Sequence, residues 1–432
     1  MTSAATPDAA VDNALSTVEA YQAAILAAIT PLAPTSLELA AAEGCVLAED
    51  VTAAVALPSF DNSSMDGYAV YAADVAGAAK DSPATLPVTG EIAAGDVGVY
   101  RLAPGTAIRI LTGAQLPAGA DAVVPVEWTD GGNARVTVHR PAERGNAIRY
   151  AGGDAAEGET LITAGTRMRP MQVAVAASAG RRAVTVRPRP RVVVLSTGDE
   201  LTEPGTPLVP GQIWDSNSYM IAAAAREAGA VASRHSGLPD DPKGVLPALE
   251  EQLTHADLLI TTGGVSMGGE HDVVKAALRE LGTVTFRKVA MQPGMPQGFG
   301  VIGQDGTGGV GAQGGAGGVG AKRVVPIFTL PGNPVSAYVS FQLFVRPAIA
   351  ALQGADDLSL PTVAAMLTAP VRSPSGRRSY LRGVLDGSRV TPLSGQGSHQ
   401  IAHLGRANAL IIVPEQQVQL PAGEAVDVLV LP

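Results

Sequence analysis

The stretch LLITTGGVSMGGEHDVVK, residues 258–275, passes from an apolar run through a glycine-rich turn into an amphipathic segment. The apolar run 258–260 predicts a buried strand, and residues 272–280 predict a helix. Gly263, Gly264, Gly268 and Gly269 lie between them, and glycine lets backbone amides approach an anion closely. The stretch therefore predicts a strand, an anion-binding turn and a helix whose N-terminus favours negative charge.

The same alternation of strand and helix recurs on both sides of this stretch. Short apolar runs predict strands, and longer segments with capping residues predict helices. Predicted strands cover 192–195, 231–233, 258–260 and 324–330, and predicted helices cover 215–228, 243–255, 272–280 and 335–352. Strands that alternate with helices predict a mostly parallel sheet with right-handed crossovers.

Four polar loops follow the strands of this predicted sheet. They are STGDEL (196–201), LPDDP (238–242), TTGGVSMGGEHD (261–272) and LPGNPVSA (330–337). In open α/β sheets, ligands bind beyond the carboxyl ends of the strands. We therefore expect the four loops to meet at one rim and to form a binding site.

The residue types of these loops predict what the site binds. Its carboxylates would repel a phosphate unless a divalent cation lay between them, and hard oxygen ligands suit Mg²⁺. Ser266 adds a hydroxyl, whereas His271 is interpreted as structural or solvated. A lone acid after a strand is more often a turn or capping residue, but several acids on one rim favour a metal-dependent phosphate or pyrophosphate site. These acids are Asp199, Glu200, Asp240, Asp241 and Asp272.

The rest of the chain predicts mainly β structure. Residues 1–14 are expected to be a disordered tail, and Ser16 and Glu19 have the spacing of a capping box that starts a helix. Short strands separated by turns are predicted in 51–149, in 154–186 and in the C-terminal tail. The glycine-rich segment 302–323 is interpreted as a flexible hairpin insertion, because no Lys-Ser or Lys-Thr follows it as in a phosphate-binding loop.

Composition excludes several classes of protein. The net charge of -10 argues against a nucleic-acid-binding protein, because such affinity needs a basic face. Cys45 is the single cysteine, so no intrachain disulfide and no cysteine-based zinc site can form, which fits a reducing cytoplasm. The uninterrupted apolar runs are too short for a membrane-spanning helix, and residues 1–13 lack the features of a signal peptide. A soluble, cytoplasmic, multidomain protein is expected.

In the polar loops and in several further motifs, the sequence resembles the molybdopterin molybdenumtransferase family, called MoeA in bacteria and represented in animals by the gephyrin E domain. The resemblance extends from about Leu15 to the C-terminus, apart from the glycine-rich insertion. It rests on long motifs: LPSFDNSSMDGYAV (57–70), TGAQLPAGADAVVPVE (112–127), STGDEL, DSNSYM (215–220), TGGVSMG (262–268) and LPGNPVSA.

The resemblance implies a fold of α/β plus β class in an elongated, multidomain chain. Its central α/β domain has a mostly parallel sheet, and a β-rich domain and a small C-terminal β-domain accompany it. The implied divisions are a tail 1–14, a discontinuous subdomain I (15–50 and 150–188), a β-rich subdomain II (51–149), an α/β molybdopterin-binding subdomain III (189–355) and a β-barrel-like subdomain IV (356–432).

The resemblance also implies a reaction. Members of this family insert molybdenum from molybdate into molybdopterin, starting from adenylylated molybdopterin, with Mg²⁺-dependent cleavage of a pyrophosphate bond and release of AMP. They are homodimers with the site at the dimer interface. Transient contacts with the molybdopterin adenylyltransferase and with molybdoenzymes are possible, and neither nucleic acid nor a membrane is expected as a partner.

Functional residues carried over from the family motifs fall into two groups. Asp61, Glu200, Asp240 and Asp272 are implied to be catalytic, and the last three are also implied to hold Mg²⁺. Residues implied to bind substrate are Thr112, Gly263, Gly264, Ser266, Gly268, Lys275, Lys288, Pro331, Asn333, Pro334, Arg382 and Ser398.

The sequence departs from the family at one place with consequences for charge. Where the family has a KPGKP stretch, this chain has Gln292-Pro293-Gly294-Met295-Pro296, so two lysines are missing. Fewer cations beside an anion site should weaken its attraction for phosphate or molybdate. The alternative hypothesis is therefore a molybdopterin-binding scaffold without chemistry, or a paralogue with an altered oxyanion preference.

Overall fold

The computed structural model describes residues 15–238, 242–263, 273–303 and 324–432. The chain forms two compact units. The first contains Met1–Thr35, Gly44–Ala48 and Val186–Pro432, and the second contains Ser36–Glu43 and Glu49–Thr185. The N-terminal tail and nearly all of the glycine-rich insertion lie outside the described residues. The division into four subdomains stays a prediction.

A six-stranded sheet forms the centre of the first unit. Its strands in chain order are β1 (Arg191–Thr197), β2 (Val231–Leu238), β3 (Leu258–Thr262), β4 (Val284–Lys288), β5 (Pro296–Gly303) and β6 (Val324–Leu330). The order across the sheet is β2-β1-β3-β6-β5-β4. Neighbours from β2 to β6 pair in parallel, and β5 runs antiparallel to β6 and β4. The predicted mostly parallel sheet is confirmed. β5 and β6 pair antiparallel on the two sides of the glycine-rich insertion, as its interpretation as a hairpin implies, whereas β4 was not predicted.

Helices cover both faces of this sheet, which explains the uninterrupted apolar runs of its parallel strands. Because successive residues of a strand point to opposite faces, Val192 and Val194 of β1 pack with the helix Asn217–Glu227. Val193 and Leu195 face the other way and pack with the helices Pro242–Leu253 and Val273–Glu280. The three helices lie close to their predicted positions.

The last helix of the first unit is interrupted by a π-helical segment. It consists of Pro334–Ser340, the π-helical residues Phe341–Val345 and Arg346–Leu352. By length and composition it could cross a membrane, but 83% of its most apolar window is buried inside the protein. Its side chains share one hydrophobic cluster with β1, so it is packed as a core helix.

The N-terminal helix Val18–Ala27 also belongs to this core. Its Tyr21 ring packs edge-on against Phe344, with 4.9 Å between the ring centroids. The prediction that Ser16 caps this helix is wrong. The cap is the next residue, Thr17, whose hydroxyl accepts the Ala20 N–H at 3.1 Å. The amide of Ser16 instead donates to the Lys288 carbonyl at 2.9 Å, which places Ser16 in an extended conformation beside the end of β4.

A closed barrel forms the C-terminal part of the first unit, as the predicted small β-domain implies. Its strands are Thr362–Leu367, Arg378–Asp386, Arg389–Pro392, Ala409–Val413 and Ala425–Val430. Each strand pairs with two others, and the pairing of Arg378–Asp386 with Ala409–Val413 closes the ring. Leu367, Val390 and Ile411 fill the interior. Met291–Gln292 adds a further strand alongside Arg378–Asp386.

The second unit contains a five-stranded sheet, so the β-rich texture of 51–149 is confirmed. In sheet order its strands are Ala122–Pro125, Gly67–Val70, Ala107–Ile110, Ala84–Ile92 and Arg135–Val138. In the segment 154–186, for which strands were predicted, Pro170–Ser178 is a helix. Proline at the first helical position is favourable because its missing N–H has no partner to lose there.

Shorter elements complete the two units. Short helices and 3-10 turns are Leu39–Ala41, Ala72–Val75, Val126–Trp128 and Ile401–Arg406. Short strands are Thr35–Glu38, Val46–Leu47, Val51–Thr52, Asn62–Ser63, Ile148–Arg149, Thr160–Ile162, Ala183–Arg187, Leu201–Thr202, Ile213–Trp214, Val371–Arg372 and Gln419–Leu420.

The close packing of strands in the second unit can be tested by a substitution at Gly67. A Cβ at this position would lie 2.0 Å from the carbonyl oxygen of Val124 on the neighbouring strand. Gly67→Ala should therefore lower the free energy of unfolding of this unit by about 1–3 kcal/mol. Urea unfolding in a Trp214→Phe background, followed by the fluorescence of Trp128, would measure it. Gly90→Ala is the control, because no atom lies within 4 Å of its added Cβ, and equal midpoints for the two variants would contradict the prediction.

Candidate functional site

The carboxyl ends of β1, β3 and β6 lie side by side at the centre of the sheet in the first unit. The chain goes from β1 outwards to β2 and then returns to β3 on the other side of β1. The sheet order therefore reverses between β1 and β3, and such a reversal is the usual place for a ligand in an open α/β sheet. STGDEL follows β1, the glycine-rich turn follows β3 and LPGNPVSA follows β6.

Close backbone contacts hold these three loops together. The Gly263 amide donates to the Leu330 carbonyl oxygen at 3.0 Å. Gly263 has a φ of +94°, and an added Cβ would lie 3.1 Å from the carbonyl oxygen of Thr197. A larger residue would therefore be strained and would push the loops after β1 and β3 apart.

Two further loops are attached to the same edge by asparagine side chains. The Asn217 amide group donates to the Gly332 carbonyl oxygen at 2.6 Å, which joins DSNSYM to LPGNPVSA. The Asn333 amide group donates to the Ser398 hydroxyl at 3.1 Å, which joins LPGNPVSA to the C-terminal barrel. Hydrogen bonds thus join Gly263, LPGNPVSA, DSNSYM and the barrel loop of Ser398, and Thr197 of STGDEL lies against Gly263.

Buried hydroxyl groups lie directly beneath these loops. Ser196, Thr261, Thr262 and Thr329 are the fully buried polar residues at the carboxyl ends of β1, β3 and β6, and each is at most 2% exposed. Thr261 and Thr329 are neighbours in the parallel register. Among the described residues, the hydroxyls of Thr261, Thr262 and Thr329 have no hydrogen-bond partner. Because buried polar groups are rarely left unpaired, these hydroxyls favour a polar ligand at this edge.

Only part of the predicted acidic rim lies in the described residues. Asp240, Asp272, Gly264, Ser266 and Gly268 lie outside them. Glu200 is exposed, and its carbonyl oxygen accepts the Ile213 amide at 2.8 Å. Within the described ranges its carboxylate has no hydrogen-bond or ion-pair partner, so the carboxylate is available to a cation. Such an oxygen suits Mg²⁺. No group of three potential metal ligands is present among the described residues.

The two predicted lysines lie at different distances from the centre of the edge. Lys288 ends β4, which is the edge strand and lies two strands away from β6, so about 9–10 Å separates the two strands. Lys275 is half-buried on the helix Val273–Glu280, and its Nζ lies 5.7 Å from the centroid of the Phe286 ring. Lys275 is therefore held against β4.

The remaining predicted residues of the first unit fall in the loop after β6 and in the barrel. Pro331 is buried, and Pro334 occupies the first turn of the last helix, where proline is favourable. Ser398 is half-buried, and its carbonyl oxygen accepts the Val335 amide at 3.1 Å. Arg382 has no exposed surface. Burial lowers the pKa of its guanidinium, which nevertheless stays charged.

Asp61 and Thr112 lie in the second unit, and the structure brings their two segments together. The Asp61 carbonyl oxygen accepts the Leu116 amide at 2.9 Å, and its carboxylate accepts the Ala151 amide at 2.8 Å. Thr112 donates both its amide and its hydroxyl to one carboxylate oxygen of Asp66, each at 2.7 Å. These bonds fix the backbone around both predicted residues.

Sequence reasoning did not assign a role to Asp66 or Asn217. The Thr112 backbone N–H, followed by the Thr112 hydroxyl, holds the pKa of Asp66 below its usual range. Residues 215–217 were predicted to cap the helix that follows, and Asp215 does so by accepting the Ser218 amide at 3.0 Å, whereas the Asn217 side chain donates to Gly332. Both residues stand in motifs that carry the family resemblance, and these motifs were the sequence feature that could have indicated their importance.

Three family descriptions together cover most of the chain. The MoeA N-terminal region (domains I and II) matches residues 16–180, a probable molybdopterin-binding domain matches 193–351, and the MoeA C-terminal region (domain IV) matches 364–431. The loops described above after β1, β3 and β6 fall in the second of these regions.

Relatives and solved structures agree with these matches. Molybdopterin molybdenumtransferase 2 of Mycobacterium tuberculosis H37Rv is 43% identical over 419 residues, which cover 95% of this chain and 98% of that protein. Molybdopterin molybdenumtransferase of Bacillus subtilis is 35% identical over 394 residues, covering 89% and 87%. The crystal structure of the molybdopterin biosynthesis MoeA protein from Pyrococcus horikosii aligns with a TM-score of 0.77 and 30% identity, covering 96% and 99%.

The bond between Thr112 and Asp66 can be tested by titration. Thr112→Val removes the hydroxyl donor and keeps the backbone donor, so the pKa of Asp66 should rise towards about 3.9, the ordinary value. Since the folded pKa of Asp66 is depressed, the bond stabilises the fold above the unfolded pKa, and this stabilisation is lost as pH falls through the folded pKa. Carboxyl NMR titration would measure the shift, with Thr106→Val as control; an unchanged pKa in Thr112→Val would contradict the assignment.

Proposed function

Because the chain belongs to the MoeA family of molybdopterin molybdenumtransferases, we propose that it inserts molybdenum from molybdate into adenylylated molybdopterin and releases AMP. The proposed reaction cleaves a pyrophosphate bond and depends on Mg²⁺. The observation that carries the proposal is the central edge of the sheet, where Gly263, the loop after β6, Asn217 and Ser398 are joined by hydrogen bonds. The sequences of the loops that follow these strands are rich in glycine, hydroxyl and carboxylate groups. Such a surface suits an anionic substrate and a divalent cation.

In this proposal each group of residues has a distinct task. Glu200, with Asp240 and Asp272, would hold Mg²⁺. Bound Mg²⁺ supplies positive charge that stabilises the pyrophosphate as its bond breaks. Gly263, Gly264 and Gly268 would present backbone amides to the phosphates, and Ser266, Asn333 and Ser398 would donate neutral hydrogen bonds. Lys275 and Lys288 would add positive charge, and Pro331 and Pro334 would shape the loop after β6.

The second unit would complete the site in a homodimer. Asp61 and Thr112 stand on backbone that is fixed by the bonds of Leu116, Ala151 and Asp66. A rigid pair of this kind suits the positioning of a substrate. We propose that this pair acts on the substrate held by the sheet edge of the partner chain, in a cytoplasmic enzyme that exchanges substrate and product with the adenylyltransferase and with molybdoenzymes.

The alternative is a protein that binds molybdopterin without chemistry or prefers another oxyanion. Gln292 and Met295, which stand where the family has lysine, favour this alternative because two positive charges are lost. The Glu200 carboxylate has no positively charged partner within the described ranges and is available to a cation, which favours the enzyme. A scaffold would bind the pterin with no dependence on Mg²⁺, whereas the enzyme would need Mg²⁺ and molybdate for AMP release.

The proposed reaction can be tested directly with purified protein. AMP release from adenylylated molybdopterin is expected only when molybdate and Mg²⁺ are both present, and the recovered pterin should then carry molybdenum. Glu200→Gln and Asp272→Asn should abolish turnover without unfolding the chain, because each removes one charged metal ligand. Glu251→Gln, on the exposed side of the helix Pro242–Leu253, is the control. Wild-type turnover in either test variant would contradict the site, and tight pterin binding without AMP release would favour the scaffold.

The missing lysines provide a separate test of oxyanion affinity. Gln292 is exposed, so Gln292→Lys should be accommodated, and together with Met295→Lys it adds two positive charges. Each of the two substitutions should lower the molybdate concentration that gives half-maximal turnover by roughly 2- to 5-fold at low salt. The effect should weaken as salt is added. Gln292→Met with Met295→Leu is the neutral control. No change in the lysine variant would show that these positions lie too far from the bound anion.

A further inference from the structure

The loop that lacks the two lysines of the family lies beside the turn after β6. It comprises residues 292–296 and leads directly into β5. β5 runs antiparallel to β6, and Gly298 pairs with Thr329 in the register. Residues that precede Gly298 therefore lie beside those that follow Thr329, which belong to LPGNPVSA. Neighbouring strands are about 4.8 Å apart, so the loop 292–296 adjoins the central edge of the sheet.

Backbone contacts attach the base and the first part of this loop. The Val289 amide donates to the Met295 carbonyl oxygen at 2.8 Å, which closes the loop at its base. Met291–Gln292 pairs in parallel with the barrel strand Arg378–Asp386. The positions that lack lysine, 292 and 295, thus belong to a closed loop that is attached to the barrel on one side.

The side chain of Gln297 joins the other part of this loop to the last helix. Gln297 is 2% exposed, and its Nε2 donates to the Gly294 carbonyl oxygen and to the Ser340 hydroxyl, both at 2.6 Å. A carbonyl oxygen can only accept, so the nitrogen of the amide group must face Gly294. Ser340 is fully buried at the end of the helix Pro334–Ser340, which begins directly after Asn333. One buried side chain therefore connects the loop with the helix that starts at the candidate site.

The loop backbone is packed directly against the groups that hold it. Gly294 has a φ of +93°, and an added Cβ would lie 2.8 Å from the Ser340 hydroxyl oxygen and 3.4 Å from the Gln297 amide nitrogen. No side chain fits between Gly294 and Ser340, so the position requires glycine. We call Gln297, Gly294 and Ser340 the Gln297 bridge.

We propose that Gln297 is a positioning residue, which acts on the oxyanion of the substrate only through the loop 292–296. By holding Gly294 against the last helix, it fixes where the side chains of residues 292 and 295 stand relative to the turn after β6. The charge at these two positions then sets how strongly an oxyanion is attracted, and the Gln297 bridge keeps that charge in one place. The proposal rests on the proposed function.

Glutamine suits this task because its amide group carries two donors and no charge. The two N–H groups on one nitrogen reach two acceptors at once, and a neutral group can be buried where it is fully hydrogen-bonded. Methionine has a similar length and an adaptable shape but no donor, so Gln297→Met removes both bonds and keeps most of the packing. The Gly294 carbonyl and the Ser340 hydroxyl then lose a buried partner, which favours release of the loop.

The test adds a charge to the loop with the Gln297 bridge intact and with the bridge removed. Met295→Lys is introduced into the full-length wild type and into Gln297→Met, and AMP release is measured at varied molybdate. With the bridge intact, Met295→Lys should lower half-saturating molybdate by roughly 2- to 5-fold at low salt. Without the bridge, the same change should lower it by at most about 1.5-fold, because the two positions are coupled.

Two results of this comparison would overturn the proposal. Equal gains from Met295→Lys in the two backgrounds would show that Gln297 supports the fold without positioning the loop. No gain in either background would show that the loop does not reach the oxyanion at all.

Amide hydrogen exchange measures the Gln297 bridge without turnover. The Val289 amide is protected by the Met295 carbonyl oxygen of the loop, so Gln297→Met should speed its exchange by about 10-fold through easier local opening. Gln416→Met is the matched control, because Gln416 is exposed in a loop of the barrel. The control should keep the exchange at Val289 and the half-saturating molybdate of the wild type. Unchanged exchange at Val289 in Gln297→Met would contradict the bridge.

Ser340→Ala covers the case in which Gln297→Met fails to fold. It removes one acceptor of the bridge and keeps the bond from Gln297 to Gly294, so a smaller increase in exchange at Val289 is expected. Wild-type exchange in Ser340→Ala would contradict the bridge. If the wild-type protein itself releases no AMP, the proposed function fails. Molybdate binding measured by equilibrium dialysis then replaces turnover in the same four proteins, and equal gains from Met295→Lys would still overturn the role of Gln297.

Discussion

The parallel pairing of three buried strands is the constraint on which the candidate site depends. β1, β3 and β6 are covered by helices on both faces, so their side chains are apolar until the last one or two residues. Their polar ends can lie only at the carboxyl edge, and parallel pairing brings these ends to neighbouring positions. The hydroxyls of Ser196, Thr262 and Thr329 thus reach the site through strand register alone.

Features that depend on local pattern could be predicted from the sequence. The strand Val324–Leu330 was predicted with its observed bounds, and the carboxyl ends of β1, β3 and β6, from which the polar loops start, lie at one edge as predicted. β4 was missed, and β5 was expected only as an arm of a hairpin without bounds, because antiparallel strands such as Pro296–Gly303, with four glycines or prolines, lack a clear apolar run. The helix Pro170–Ser178 was missed because its short apolar segment is equally compatible with a strand.

Contacts between residues distant in the chain could not be predicted in the same way. Asn217 and Gly332 are 115 positions apart, and Asn333 and Ser398 are 65 apart, so no sequence window contains either pair. The role of Arg382 shows the same limit. The motif around it indicates a functional residue, but only packing reveals that its donors face the carbonyls of the loop 395–400 instead of solvent. Sequence resemblance identified the positions, and only the structure shows which groups they contact.

The charge of the chain bears on how an oxyanion would be recognised at this edge. The net charge is -10, and lysine is absent from positions 292 and 295. Lys288 lies at the far strand of the sheet, and the Arg382 guanidinium is enclosed by carbonyl oxygens. Among the described residues where the loop after β6 meets the barrel, the polar donors are instead neutral, namely the Asn333 side chain and the Ser398 hydroxyl. Neutral donors are individually weaker than charged ones, so they select an anion by the geometry in which several of them converge. Such a site needs its loops held in register, and the bonds of Asn217 to Gly332 and of Asn333 to Ser398 hold them.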